Sequence, residues 1–455
     1  GVLTVSLRVM SAGDGYRYLL ASVAAGDGQR SLSSPLTRYY AEAGTPPGFW
    51  LGSGLRSMGG GAIAEGDQVL EAQLQLLIGM GRDPVTGQPL GRAYPQHRSV
   101  AERVNRRVQS LNAGLCPVER AEAISRIEAE EATRGTRRTV AGFDLTMSIP
   151  KSASVLWAVS DAGTQALIAQ AHHDAIADII AYLEREIAVT RVGADRGDGA
   201  VAQADVEGVI ATAWDHYDSR AGDPHLHTHV VIANRARTLQ DGRWRALDGR
   251  PLHATTVALS ELHEAVFADH LTRALGVEWE LRDRGPDRNP ALAITTVAEE
   301  LVAEFSSRSR AIDDEKNRLI AQYVDRHGRQ PPRVTIIRLR AQATLATRPP
   351  KQLRSLADLT ATWRTRTTQL LGKDATAWSR AQVKELVPPL LRADDVPLEL
   401  IASIGSDVID TVGEKRSTWR RSNLTIEAAR QTKHWRFAST ADRQAVVELI
   451  VDSAE

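Results

Sequence analysis

Four of the twelve histidines in this 455-residue chain fall in one stretch, WDHYDSRAGDPHLHTHVVIANRA, residues 214–236. His225, His227 and His229 occupy alternate positions. In a β-strand, residues two apart face the same side. His227 and His229 can therefore aim at one ion together, with His225 above or below them. The run VVIAN that follows is strand-like. His216 lies before a turn-forming AGDP segment that can fold it back toward the pair. Three neutral imidazoles suit a divalent transition metal and leave positions open for substrate. A lone strand histidine needs no such account, but a His-x-His pair with a third histidine at this distance does.

A second group lies upstream. FDLTMS alternates as a strand, so Asp144 and Thr146 share one face. An acid within reach of a ligand imidazole or a nucleophile can fix the tautomer or accept a proton. Ser148, Lys151 and Ser152 fall near a helix start, where a phosphate can be bound. The stretches RSVAERVNRRV, RGTRRTV and RTLQDGRWRALDGR are basic enough to line a nucleic-acid groove. Arg106, Arg107, Arg137 and Arg138 are candidate contacts there, although a solvated helix face explains the first stretch as well.

These residues need elements to position them. LTVSLRVM reads as a strand, followed by a SAGDG turn and a short helix over YRYLLASVAA. Residues 63–80, 99–112 and PVERAEAISRIEAEEATRG have helical periodicity, the last with Pro117 early and Gly135 past its end. TVAGFDLTMSIPKSASVLWAVS reads as strand, turn and helix, and residues 163–187 as a long amphipathic helix. RVGADRGDGAVAQADVEGVIATAWDH alternates as two strands about a Gly/Asp turn. The histidine stretch continues into a turn at Asp241-Gly242 and a further strand, then a helix ending at Gly276. From about residue 295 the pattern is almost wholly helical, broken at Pro349-Pro350. The expected architecture is α+β, with an antiparallel sheet flanked by helices rather than parallel βαβ repeats. Residues 1–300 form this domain and residues 301–455 a helical extension.

Bulk properties narrow the class. The length calls for more than one ordinary core. Apolar and charged contents of 42% and 25% are those of a soluble globular protein. The formal net charge is zero, so any nucleic-acid contact must rest on local basic patches. Cys116 is the only cysteine, which excludes a disulfide framework and a cysteine-rich zinc site and suits a reducing cytosol. No apolar run reaches about 18 residues and no signal peptide leads the chain, so a cytoplasmic protein without membrane insertion is expected.

HYDSRAGDPHLHTHVVIAN resembles the three-histidine motif of the F-type conjugative relaxases, the MobF family of HUH single-strand endonucleases. His216, Ser219, Arg220, Pro224, Leu226, His227, Thr228 and His229 match that motif in type and spacing, with Tyr217 in place of the usual Asp. GFDLTMSIPKSASVLWAV resembles a second family segment, with Met147 for a Phe. YYAEAGTPPGFWLGSG resembles a third. The three blocks span residues 1 to about 300 in the family's order. The resemblance implies a palm-like antiparallel sheet flanked by helices and a divalent ion on His216, His227 and His229, with His225 not a ligand. Mg2+ or Mn2+ is the expected ion, with Zn2+ a third option. It also gives Asp144 the tautomer-fixing or proton-accepting role and Arg220 a DNA contact, alongside Ser148, Lys151, Arg106 and Arg107.

The implied reaction is transesterification. A tyrosine oxygen attacks one phosphodiester of single-stranded DNA at an origin of transfer and keeps the 5′ end as a phosphotyrosine. Bond energy is conserved, so no nucleotide is consumed. Relaxases place this tyrosine near the N-terminus, and counting on from the first strand points to Tyr18, with Tyr16 the close competitor. Tyr39 and Tyr40 resemble the family's second pair, which can serve a second transfer; the loop before them is longer than usual. The family often joins this unit to a helicase, yet no G-x-x-x-x-G-K-[ST] loop occurs, so no ATP site is expected, and residues 301–455 read either as the truncated start of a helicase-like region or as a helical module of their own. Accessory conjugation proteins and a coupling ATPase, in a bacterial cytoplasm, are the implied partners. Two other readings stay open: a metal-dependent phosphodiesterase that activates water, and an inactive DNA-binding module.

Overall fold

A computed structural model describes residues 3–21, 23, 44–95, 97–193, 202–285 and 288–455. Tyr39 and Tyr40 lie outside the described residues. The chain opens with β1 (Val5–Ser11), α1 (Arg17–Leu20), β2 (Phe49–Leu51), α2 (Glu71–Leu74), α3 (Val100–Gln109) and α4 (Pro117–Arg134). There follow β3 (Val140–Ser148), α5 (Lys151–Val159), α6 (Ala162–Glu186), β4 (Val189–Val192), β5 (Ala202–Asp205), β6 (Ala211–Asp218) and β7 (Pro224–Ala233). A small hairpin of β8 (Ala236–Arg237) and β9 (Trp244–Arg245) leads into α7 (Gly249–Leu275), then β10 (Trp279–Arg282) and β11 (Ala291–Ile294). The rest is helical: α8 (Glu299–Glu304), α9 (Ser307–His327), α10 (Arg333–Ala346), α11 (Leu356–Leu371), α12 (Ala375–Gln382), α13 (Leu398–Lys415), α14 (Arg421–Thr432) and α15 (Thr440–Ala454).

The five-stranded sheet has the order β1-β3-β7-β6-β2, and every pair in it is antiparallel. The Asp144 strand and the His227/His229 strand are thus neighbours near its centre, as the palm-like expectation requires. Strand alternation gives the sheet two faces. Phe143, Leu145, Met147, Leu226, Val230 and Ile232 point into the large core against α5, α6 and α7. The opposite face carries the histidines and, below them, a second core of Met10, Tyr16, Leu19, Trp50, Trp214 and Val231. Gly48 belongs to this packing: a Cβ there would stand 2.6 Å from the Trp214 ring. Only a bare backbone lets β2 close against β6 at that point.

Several local readings change in the fold. The helical periodicity over residues 63–80 is realised only from Glu71, as one α turn followed by a π turn over Gln75–Gly79. The preceding residues are drawn to β2, where Trp50 N–H donates to Asp67 O and Val69 N–H donates to Gly48 O. The short helix after β1 is a single turn. The two strands read before the histidines are a separate β4–β5 hairpin, and β6 joins the main sheet as a third.

The helical C-terminal region begins near residue 300, but packing does not divide there. Phe305, Leu356, Leu359, Trp363, Ala375 and Trp378 all belong to the large core. Trp363 is fully buried and its Nε1–H donates to Gly222 O in the turn between β6 and β7. A separate core, including Ile401, Val408, Leu424, Phe437, Val446 and Ile450, holds α13, α14 and α15 together.

Candidate active site and metal centre

Register brings the site together. His227 faces Ser148 on β3 and His216 on β6, and His229 faces Thr146 on β3. The rings of His216, His227 and His229 form a near-equilateral triangle, with centroids 5.1, 4.9 and 5.4 Å apart. One ligand nitrogen from each lies within 4.8 Å of the others. His227 Nδ1–H donates to His225 O at 2.7 Å, and His229 Nδ1 lies 2.9 Å from Asp144 Oδ2 and 3.2 Å from Thr146 Oγ1. Both Nδ1 atoms are thereby committed, which leaves each Nε2 as the free lone pair. His225 stacks on His227 with centroids 4.4 Å apart and stands outside the triangle.

The donor set fits a divalent ion. His216 Nε2 is buried with no hydrogen-bond partner among the described residues. A buried unpartnered nitrogen costs about 1–3 kcal/mol, and an ion bound there would remove that cost. Burial and the other two imidazoles hold His216 well below the ordinary histidine range. Burial and His229 bring His227 down to about 4. At neutral pH both are uncharged and ready to ligate.

Tyr18 reaches the same place from the other side. A Cβ at Gly15 would stand 2.0 Å from Ser11 O, so only glycine permits the turn that lays α1 over the sheet. Tyr18 Oη donates to Asp144 Oδ2 at 2.5 Å. Burial, then the Asp144 charge, raises the phenol far above its ordinary pKa, while the Arg8 guanidinium opposes this. Arg8 sits 4.9 Å over the Tyr18 ring. Burial opposes the charge on Asp144, but hydrogen bonds from His229, Tyr18 and Thr146 outweigh it and hold the carboxyl below the usual range. Tyr16, two residues earlier on a one-turn helix, points the other way. Its ring is 3% exposed and packs in the second core, so the structure does not bring it to the site.

Tyr18 and the three histidines line a cavity of about 480 Å³ whose walls are cationic: Arg8, Arg220, Arg308, Arg348, Lys351 and Arg354. Arg354 lies 3.5 Å from Asp218. Arg220, Arg348 and Lys351 have no carboxylate partner among the described residues, and Arg308 donates only to Thr347 Oγ1 and Thr344 O. Burial and the like charges of Arg348 and Arg308 push the Arg220 guanidinium down from its ordinary pKa. Burial, Arg220 and Arg348 do the same to Lys351. A cluster of like charges without counter-ions is the electrostatic form of an anion site.

Of the expected DNA contacts, Arg220 is therefore at the site. Lys151 is turned inward, its Nζ donating to Pro224 O at 2.6 Å where β7 begins. Ser148 is buried at the end of β3, beside His227, and Ser152 Oγ accepts from Ile294 N–H. Arg107 is held by Glu130 and Glu131 on the α3–α4 pair, with Arg106 exposed beside it, and neither lines the cavity. Arg137 and Arg138 line a different, open cavity with Tyr94 and His97. Sequence reasoning missed Arg8, Arg308, Arg348, Lys351 and Arg354. The signal for the last three was RPPKQLR, residues 348–354, a basic segment at a proline-marked break in the helical region.

Comparison with known proteins identifies the family and the fold. The family model of the TrwC relaxase matches residues 12–370. Two curated proteins of Escherichia coli, each described as multifunctional conjugation protein TraI, are similar in sequence. One, 30% identical over 188 residues, shares 39% of this chain and 10% of its own length. The other, from strain K12, is 28% identical over 208 residues, 42% of this chain and 11% of its own. The match thus spans about a tenth of those relatives. Among solved structures, conjugative relaxase TrwC with oriT DNA in a metal-bound form superposes with a TM-score of 0.54 at 21% identity, covering 82% of this chain and 99% of that one. Its metal-free form gives 0.53 over the same shares. These structures share the fold.

Proposed function

Because this chain belongs to the TrwC relaxase family, we propose that it nicks single-stranded DNA at an origin of transfer and holds the 5′ end on Tyr18. The observation that carries this reading is the shared carboxylate: Asp144 Oδ2 accepts from Tyr18 Oη and from His229 Nδ1. One acid ties the attacking oxygen to the triad. A divalent ion held by His216, His227 and His229 would polarise the scissile phosphate and orient it. Three imidazoles favour Mn2+ or Zn2+ over Mg2+, which prefers oxygen ligands.

The chain's own residues do the rest. Tyr18 Oη forms the new bond to phosphorus as the bond to the 3′ oxygen breaks. The phenol proton passes along the 2.5 Å hydrogen bond to Asp144, and the departing 3′ oxygen takes up a proton in its turn. Arg220, Arg308, Arg348 and Lys351 bind the phosphates that flank the cut. The working unit extends past residue 300 at least to Arg354, because the cavity takes side chains from the N-terminal sheet and from α9 and the α10–α11 loop alike. Accessory conjugation proteins and a coupling ATPase are the partners this role requires. No helix among the described residues is long and apolar enough to cross a membrane.

The test is a covalent trap. Purified protein is incubated with Mn2+ and labelled single-stranded oligonucleotides tiling the transfer origin of its element, then run on a denaturing gel. An SDS-stable adduct that maps to Tyr18 supports the reading. Cleavage that leaves only free 5′-phosphate would replace it with attack by water.

A further inference from the structure

The back of the sheet, directly behind the triad, carries a buried polar chain that the reaction does not use. Asp215 precedes His216, and Thr228 lies between His227 and His229. They face each other across β6 and β7. Thr228 Oγ1–H donates to Asp215 Oδ1 at 2.5 Å, and His173 on α6 lies 2.9 Å from Asp215 Oδ2. His172, also on α6, stands 2.8 Å from Thr228 Oγ1. Since the one hydroxyl proton of Thr228 goes to Asp215, His172 Nε2–H must be the donor in that contact. Asp215, His172 and Thr228 are each at most 4% exposed.

The position of this chain matters because His216 has no other brace. His227 and His229 each commit Nδ1 to a partner, whereas no hydrogen bond to the His216 ring exists among the described residues. Its placement depends on the backbone of β6. That backbone loses regular pairing just beyond it, where the register shifts between His216 and Asp218. Among the described residues, the Asp215–Thr228 bond is the last side-chain hydrogen bond across the two strands before that irregularity.

We propose that Asp215, Thr228, His172 and His173 form a positioning network that sets the spacing of His216 against His227 and His229, and thereby the affinity and geometry of the bound ion. The inference rests on reading the triad as a metal site. Outer contacts that orient ligands typically carry about ten- to a hundredfold in metal affinity. Here the contact acts through the strand backbone rather than through the ligand ring.

The test uses the full chain with Mn2+ and Co2+ alone. Thr228→Val keeps the side-chain shape and removes the hydroxyl; Thr228→Ser restores it; Asp215→Asn alters the same bond from the other side. Mn2+ affinity is measured by calorimetry, ligand geometry by the visible absorption of the Co2+ form, and folding by melting without metal. The expected result for Thr228→Val and Asp215→Asn is about a tenfold weaker Kd and an altered Co2+ spectrum, with Thr228→Ser close to wild type. Unchanged affinity and spectrum in either folded variant would overturn the proposal. So would equal losses in Thr228→Ser and Thr228→Val, because a merely packed residue would not distinguish them. His216→Ala, which leaves the network intact, separates the two readings. If it binds Mn2+ as wild type does, the metal-site assignment itself fails and the network falls with it.

Discussion

Tyr18 and His229 meet on a single atom: Oδ2 of Asp144 lies 2.5 Å from the tyrosine oxygen and 2.9 Å from His229 Nδ1. The proposed nucleophile and a proposed ligand imidazole are therefore fixed by one buried carboxylate, and neither can move without disturbing the other. Tyr18→Phe removes the oxygen and keeps the ring against Arg8. It should bind single-stranded DNA as wild type does and form no adduct. Asp144→Asn keeps the shape and loses the charge, and its cutting rate should fall by at least about 10²-fold, the usual worth of a positioned acid–base group. Tyr16→Phe should cut with modest loss, since its ring is core. An adduct peptide carrying Tyr16 would reverse that assignment.

The unpaired cations of the cavity give a prediction with opposite signs for binding and stability. Arg348→Gln or Lys351→Gln removes one of the proposed phosphate contacts and also relieves repulsion with Arg220. Affinity for single-stranded DNA should drop, and the slope of log K against log salt should shrink by about 0.7 per charge removed. The melting stability of the free protein should stay within about 0.5 kcal/mol of wild type or rise. Binding measured at several salt concentrations decides it: a lower affinity with an unchanged slope would place these residues off the phosphate path.

Much of this was legible in the sequence, for identifiable reasons. The His-x-His spacing is a statement about one strand face, and the FDLT alternation is a statement about another, so each survived folding unaltered. Tyr18 was expected because the resembled family places its tyrosine just after the first strand, and the structure sets that residue beside Asp144. What the sequence hid was long-range. Arg8 and Asp144 are paired partners across β1 and β3, and Lys351 lies far along the chain from the triad it faces. Residue 300 looked like a boundary because secondary structure changes there, whereas Trp363 shows that the core continues. Lys151 misled in the other direction, since its position at a helix start is the same whether the ammonium faces a phosphate or a carbonyl.

Lys151 also yields a pH prediction. Burial, aided by Arg366 and opposed by Asp223, lowers it from 10.5 to about 8. Between those values the unfolded chain binds the proton more tightly than the folded one, so this group makes stability rise with pH. Below pH 8 the folded protein carries the full cost of the buried charge. The stability of wild type relative to Lys151→Met should therefore improve by up to about 3 kcal/mol between pH 7.5 and 10.5. Urea unfolding of both proteins at each pH measures it. A difference that stays flat would mean the ammonium keeps its ordinary affinity for the proton.

The C-terminal helices give the last prediction. Three acids on α7, Glu261, Glu264 and Asp269, are buried, and their cationic partners lie in the region of α14 and α15. Lys433 Nζ sits 2.7 Å from Glu261 and 2.8 Å from Glu264, and Arg443 grips both oxygens of Asp269 at 2.7 and 3.0 Å. Arg443 is 1% exposed and Asp269 fully buried. The same helix α7 carries Ser260, whose Oγ accepts the backbone N–H of Thr4 at the start of β1. Removing one partner of a buried pair typically costs about 3–5 kcal/mol, because the other charge is left without compensation. Arg443→Ala should lose that much by urea unfolding. A chain ending at Gln382, just past the matched family region, should melt well below the full chain, since all three acids lose their partners at once. None of these residues lines the cavity, so at a temperature where Arg443→Ala is still folded, its adduct yield per folded molecule should equal wild type. A loss of adduct in a fully folded variant would instead tie the C-terminal helices to the chemistry, and a cost below about 1 kcal/mol would mean that Arg436, 3.0 Å from Asp269, suffices alone.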